Sequence, residues 1–220
     1  TLRNSSAASD VYKRQEPKYT MILKNYPDLW IDQFPFPGDA DHKYSRGLVL
    51  INSGPVFKTG AARLAGRAAM RVGAGAVKLI CDKESAQILE PQISVELIAV
   101  IQNKNEFQSI LKDKKISSVL IGPGNTISDE TKARTLLALA FIDHVVIDAD
   151  AITSFENSPD ELFIDTYEHT ILTPHEGEFK RLFGDEINNI EDKVVRTVEG
   201  AKKAGSLSLI HISEPTRPSQ

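Results

Sequence analysis

Short apolar runs rich in Val, Ile and Leu alternate along this chain with segments of helical period, and that alternation constrains the fold more than any other feature. The strand candidates are residues 47–52, 76–81, 97–101, 117–121, 144–147 and 170–172. Between them, residues 59–73, 105–114, 129–141, 175–183 and 189–204 read as helices. Strands that recur after helices pair in parallel, because the intervening helix is the crossover a parallel pair requires. Continuous apolar content fits strands buried on both faces. The expectation is a doubly wound α/β fold with a mostly parallel central sheet flanked by helices. At 220 residues the chain suits one such domain better than two, and Phe34-Pro35-Phe36-Pro37-Gly38 reads as a rigid arm rather than a domain boundary.

Composition narrows the function classes. Net charge is −4, and no basic stripe with interleaved aromatics is visible, so no nucleic-acid partner is expected. No apolar run approaches the roughly 20 residues of a membrane span. The stretch from Thr1 to Ser9 lacks the apolar segment of a secretory signal, so a cytoplasmic protein with no membrane partner is expected. The single cysteine, Cys81, excludes a disulfide within the chain and lies in the apolar run from Ala76, where packing is its expected role. Residues 1–15 and 206–220 resemble read-through of sequencing-adapter sequence; both are expected to be non-native tails around a domain spanning 16–205.

Several strand-to-helix junctions carry residues that chemistry can use. After the first strand, Thr59-Gly60-Ala61 opens a helix whose apolar positions 61, 64, 65, 68, 69 and 72 are mostly small, so it can lie close to the sheet. Thr59 is an expected N-cap, and Gly60 and Ala61 leave backbone N–H groups free for a ligand, although an ordinary crossover helix explains the same residues. Arg63, Arg67 and Arg71 recur every fourth residue as a solvated stripe.

Gly122-Pro123-Gly124-Asn125-Thr126 follows a buried strand, where open α/β sheets bind ligands and where glycine lets a ligand or another backbone approach. It lacks the third glycine of a dinucleotide fingerprint, and the chain has no P-loop string. At the next strand end Asp148 is placed for a metal–phosphate complex or a substrate hydroxyl, or simply forms a turn, while Asp150 is expected to cap a helix from Ala151. In Thr173-Pro174-His175-Glu176-Gly177-Glu178-Phe179, Thr173 and Glu176 match a capping box. That leaves His175 to reach into the crevice or lie on the surface, and Glu178 to position a magnesium-bound water or favour the helix dipole.

Taken in order, His42-Lys43-Tyr44-Ser45-Arg46-Gly47, Thr59-Gly60-Ala61-Ala62-Arg63-Leu64-Ala65, Arg71-Val72-Gly73-Ala74-Gly75, Gly122-Pro123-Gly124, Asp148-Ala149-Asp150-Ala151 and the segment 173–179 resemble the NAD(P)H-hydrate dehydratase family over roughly residues 26 to 205. The resemblance implies a ribokinase-like three-layer fold, incomplete at the C-terminus. It implies a lyase in which ADP or ATP, with Mg2+, phosphorylates the hydroxyl of the substrate NADHX or NADPHX, after which phosphate is eliminated to give NADH or NADPH.

It further implies that Ala61, Gly124 and His175 contact the substrate, in an enzyme that forms a homo-oligomer when intact; site chemistry and the general pattern of ribokinase-like kinases add Gly122, Asp148 and Glu178 as candidate substrate or metal–phosphate groups. Two departures stand out. The family's glycine-rich turn is here Asn52-Ser53-Gly54-Pro55, and its Lys-Gly nucleotide loop and catalytic Asp have no counterpart in this sequence. No residue is therefore named as catalytic, and the 220-residue chain is expected to be inactive alone. The alternatives are a vitamin-precursor kinase of the same ribokinase-like class and an inactive fragment.

Overall fold

The computed structural model describes residues 23–93, 97–101 and 103–208. The chain divides into two compact units at Phe36/Pro37, so the proline-rich segment expected to be a mere arm is where they separate. In the first unit, two short 3-10 turns, Pro27–Leu29 and Ile31–Gln33, carry Trp30, whose indole N–H donates to Asn25 Oδ1 at 2.9 Å. Residues 1–22 and 209–220, which hold most of the expected tails, lie outside the described residues.

The second unit contains seven strands among the described residues: β1 (Leu48–Asn52), β2 (Ala76–Cys81), β3 (Leu97–Val100), β4 (Ile116–Ile121), β5 (Val145–Ile147), β6 (Thr170–Leu172) and β7 (Leu207–Ser208). Their order is β3-β2-β1-β4-β5-β6-β7 and every pair is parallel. β7 adds two residues beyond position 205, pairing Ile171 with Leu207 and Leu172 with Ser208.

Helices α1 (Gly60–Val72) and α2 (Lys83–Leu89) serve the half of the sheet that runs from β1 to β3. α3 (Lys104–Leu111), α4 (Asp129–Phe141), α5 (Asp150–Thr153), α6 (Pro159–Phe163), α7 (Glu176–Leu182), α8 (Asp185–Asn188) and α9 (Lys193–Ala204) serve the half that runs the other way. The chain steps from β1 out to β3 and then crosses back from β3 to β4 and onward, and right-handed crossovers running in opposite directions put these sets on opposite faces. The core records the split. Leu48 and Leu50 of β1 pack with Phe107, Ala138 and Phe179, while Ile51 packs with Ala62, Val77, Leu79 and Leu89.

Several local expectations change. α1 buries Ala62 and Gly66, not the face through 64, 68 and 72, and leaves Leu64 70% and Val72 69% exposed. Ala65 and Ala69 of the expected face do pack against the core beside Ala62, so small residues hold the helix close to the sheet as expected, while its buried stripe is rotated away from Leu64 and Val72. Thr59 sits at the N-cap position without a side-chain cap.

The helix expected over 189–204 begins at Lys193, because Asp192 caps it by accepting from Val194 N and Val195 N at 2.8 and 3.0 Å. α8 precedes it as a separate turn. α2 and α6 went unforeseen, being short and weakly periodic.

Cys81 is buried in the core as expected, and burial pushes its thiol up from an ordinary 9.0 to about 11. A raised acid favours the protonated folded state, so this contribution to stability is complete below about pH 9 and is lost as pH rises through about 11. Native protein at pH 8 should therefore react with a thiol reagent far more slowly than urea-unfolded protein. Equal rates would show the thiol to be exposed.

Candidate functional site

Ala61, Gly122, Gly124, Asp148, His175 and Glu178 all fall beyond the carboxyl ends of β1, β4, β5 and β6, neighbours in the sheet. Between β1 and β4 the strand order reverses. Loops leave such a point toward opposite faces and open the crevice where ligands bind in doubly wound sheets. Ala61 stands on one side of that crevice and Gly124 on the other.

Contacts join the four strand ends in sequence. A Cβ added to Gly54 would lie 1.8 Å from Gly124 O, and one added to Gly124 would lie 2.8 Å from Lys58 O, so the loops after β1 and β4 touch through backbone. Asn52 and Asn125 connect the same two ends from below. Asn125 Oδ1 accepts from Asn52 Nδ2 and Gly122 N, both at 2.8 Å, and Asn125 Nδ2 donates to Asn52 O at 2.8 Å.

Gly122, at φ +124°, backs onto the next loop, where an added Cβ would lie 1.6 Å from Asp148 O. Asp148 Oδ1 accepts from Thr173 Oγ1 at 2.8 Å, tying β5 to β6. Thr126 and Ala149 adopt φ of +76° and +49°, and strained backbone of this kind persists only where surrounding structure holds it.

Two expected caps fall elsewhere. Asp150 does not cap. It is the first residue of α5, and its Oδ2 accepts from Thr126 N at 2.8 Å and faces Lys58 Nζ at 3.9 Å, latching the turn after β4.

The capping box of α7 is formed by His175 and Glu178 rather than Thr173 and Glu176. His175 Nδ1 accepts from Gly177 N and Glu178 N at 2.9 and 3.3 Å, while Glu178 Oε2 accepts from His175 N at 2.9 Å. His175 Nε2 lies 3.0 Å from Glu178 Oε1. With Nδ1 an acceptor, the neutral ring carries its proton on Nε2 and donates to that carboxylate. Glu178, its side chain 7% exposed, thus fixes a ring that is 55% exposed at the crevice edge.

Segment 42–47 belongs to the other end of the sheet. His42 Nδ1 accepts from Ser45 N at 3.0 Å, Asp41 accepts from Gly38 N at 2.7 Å, and the Tyr44 ring lies between Lys43 and Lys115. The Gly38 N–H and Ser45 hydroxyl hold the Asp41 carboxyl below its ordinary range. This turn delivers the chain to the start of β1.

A cavity of about 590 Å3 also opens at the amino ends of β4 and β5, lined by Lys112, Ile116, Ser117 and His144 among others. The amino ends of parallel strands are not where crossover loops gather ligand groups.

A sequence profile described as NAD(P)H-hydrate dehydratase matches residues 49–207, well over half of the chain. The chain belongs to the NAD(P)H-hydrate dehydratase family. Among its relatives, a bifunctional NAD(P)H-hydrate repair enzyme of Coxiella burnetii is 33% identical over 153 residues, 68% of this chain and 29% of that protein. An ATP-dependent (S)-NAD(P)H-hydrate dehydratase of Mus musculus is 31% identical over 178 residues, 74% of this chain and 49% of that protein. The chain therefore spans half or less of these curated relatives.

Solved structures place the fold as ribokinase-like. A ribokinase-like superfamily protein of Enterococcus faecalis superposes with TM-score 0.72 at 20% identity, covering 84% of this chain and 64% of that one. The ADP/ATP-dependent NAD(P)H-hydrate dehydratase of Bacillus subtilis, co-crystallised with ATP and Mg2+, gives 0.62 at 22% identity, covering 80% and 61%.

Within this member of the dehydratase family, Lys58 and Arg134 lie outside every motif yet bond to residues at the strand ends, and Asn52 and Asn125 stand in motif strings without a role assigned to them there. Asn125 was visible as the residue completing the turn after Gly124, but its partner lies 73 positions away.

Proposed function

We propose that this chain forms the substrate crevice of an enzyme that uses ATP or ADP to dehydrate NADHX and NADPHX, restoring NADH and NADPH. The observation that carries the reading is that Ala61, Gly124 and His175 follow the carboxyl ends of β1, β4 and β6 at one end of the sheet, with Ala61 and Gly124 on either side of the point where strand order reverses. The family and the names of its relatives supply the reaction. The terminal phosphoryl group of ATP or ADP passes to the hydrate's hydroxyl, releasing ADP or AMP and the hydroxyl proton, and loss of phosphate together with a proton from the adjacent ring carbon restores the ring's double bond.

Each residue contributes in a way its surroundings permit. The first amides of α1, at Gly60 and Ala61, and the glycine backbone at 122–124 allow a planar ring and its carboxamide to approach main chain closely. His175 offers its exposed ring as a wall, and Glu178 acts through it, since both carboxylate oxygens are engaged by His175. Asp148 holds Thr173 with one oxygen, and no described residue donates to the other.

Among the described residues no group of three or more His, Cys, Asp or Glu could hold a metal. Magnesium commonly takes one or two carboxylates and completes its shell with phosphate and water, and Asp148 fits as one such ligand, the nucleotide phosphates supplying others.

Calorimetric titration of the chain with NADHX, compared with NADH, tests the crevice, and, because the 220-residue chain is expected to be inactive alone, the reaction is tested by assaying a longer protein that carries the family's nucleotide loop and catalytic Asp for nucleotide-dependent formation of NADH. Tighter binding of the hydrate than of NADH is expected. Phosphorylation of a hydroxymethylpyrimidine or hydroxyethylthiazole without action on the hydrate would move the protein to the vitamin-precursor kinases, and binding of neither would overturn both readings.

A further inference from the structure

The β1–β4 ladder ends at Ile51 and Leu120, where the two strands fork into the loops that border the crevice. Backbone groups at such a fork lose their partners, and buried ones must find others. We propose that Asn52, Asn125 and Arg134 form a polar strut across this fork, and that they are positioning residues which set the spacing between the Gly124 turn and the start of α1. The inference rests on the function proposed above for its consequence in binding, but not for its geometry.

The direction of every hydrogen bond in the strut is forced. Gly122 N–H needs an acceptor and Asn52 C=O needs a donor, so Asn125 must turn its oxygen to the first and its nitrogen to the second. Arg134 Nη1 donates to Asn52 Oδ1 at 3.1 Å, so Asn52 must present its nitrogen to Asn125 Oδ1.

Asn52 and Asn125 are 3% and 8% exposed, so water does not readily replace a missing partner. Arg134 in turn is held by Glu130 and lies over the Phe107 ring, which anchors the strut in the body of α4. Neither the fork nor the β1 loop can shift without breaking this chain of bonds. The contact between Gly54 and Gly124 directly above it is therefore fixed.

The test uses the 220-residue chain with Asn125→Ala, Arg134→Met and, as a control, Tyr167→Phe, which removes a hydrogen bond to Ile142 O at the far end of the sheet. Arg134→Met is the gentler variant, because it leaves the asparagine pair intact and serves should Asn125→Ala fail to fold. Amide exchange is read at residues 52–60 and 122–128 together with melting temperature, and NADHX affinity is measured on the folded proteins.

A strut predicts faster exchange in both segments at once, and a Kd for NADHX raised about tenfold or more, as small misplacements of binding groups do. The control should lower the melting temperature with neither change. Exchange altered in only one segment, or in neither, overturns the strut whatever the ligand. Paired exchange with an unchanged Kd overturns its positioning role. If the parent chain binds no NADHX, the proposed function fails, while the strut is still decided by the exchange.

Discussion

Gly122→Ala is expected to cost at least about 3 kcal/mol of folding stability and to abolish binding in the crevice. The glycine sits at φ +124°, where an L side chain is strained wherever it finds space, and here it finds none. The added methyl would lie 1.6 Å from Asp148 O and 3.0 Å from Ala151 Cβ. The obstacle is backbone, so no side-chain rotation relieves it.

Moving the loop after β5 would disturb the Asp148–Thr173 hydrogen bond, the strained turn at Ala149 and the latch from Asp150 to Thr126. Gly60→Ala is the matched comparison. That glycine opens α1 with only Arg63 Nη2 at 4.0 Å from an added Cβ, and alanine there should gain up to about 1 kcal/mol through helix propensity. Urea unfolding followed by circular dichroism distinguishes the two. Equal midpoints would mean that Gly122 is not seated against Asp148 as described.

The backbone framework was legible because its signal is local. Six of the strands are apolar runs at the expected places, and the junctions after β1, β4, β5 and β6 fall together at one end because parallel pairing puts all carboxyl ends on one side. What was not legible depends on distance or on competition. The Asn52–Asn125 pair cannot be read without knowing that β1 and β4 are neighbours, and that adjacency is a property of the whole sheet.

The cap of α7 was misplaced by two residues because Thr173 and His175 both offer an acceptor. The structure resolves the competition through Asp148, which takes the Thr173 hydroxyl and leaves capping to the imidazole. The buried face of α1 was legible in Ala65 and Ala69 but not in Leu64 and Val72, because the sheet selects the smallest side chains and turns the stripe toward Ala62 and Gly66. The segment 42–47 contributes to the family resemblance, yet it lies at the opposite end of β1 from the crevice. A motif can mark a family through its folding as well as its chemistry.

The same distinction runs through residues 173–179 and yields the other large effect. Phe179→Ala is expected to lose about 3–5 kcal/mol, the usual cost of removing a buried phenylalanine, whereas His175→Ala should lose only about 1 kcal/mol of capping. Phe179 is fully buried, its ring 4.4 Å from that of Phe183 and beneath the Arg196 guanidinium. Gly200 of α9 fits against it so closely that an added Cβ would stand 2.8 Å from the ring.

Truncation therefore opens a cavity between α7 and α9 and unseats Arg196, which bonds Glu176 at 2.8 Å. Gly200→Ala alone should also destabilise, by about 1–3 kcal/mol, through overpacking. Combined with Phe179→Leu, whose smaller side chain yields space, it should cost less than the sum of the separate changes, as contacting residues do in a double-mutant cycle. Additive costs would mean that the two positions do not touch. If instead Phe179→Ala cost no more than His175→Ala, the ring could not be holding the helix that presents His175, and the start of α7 would need another anchor.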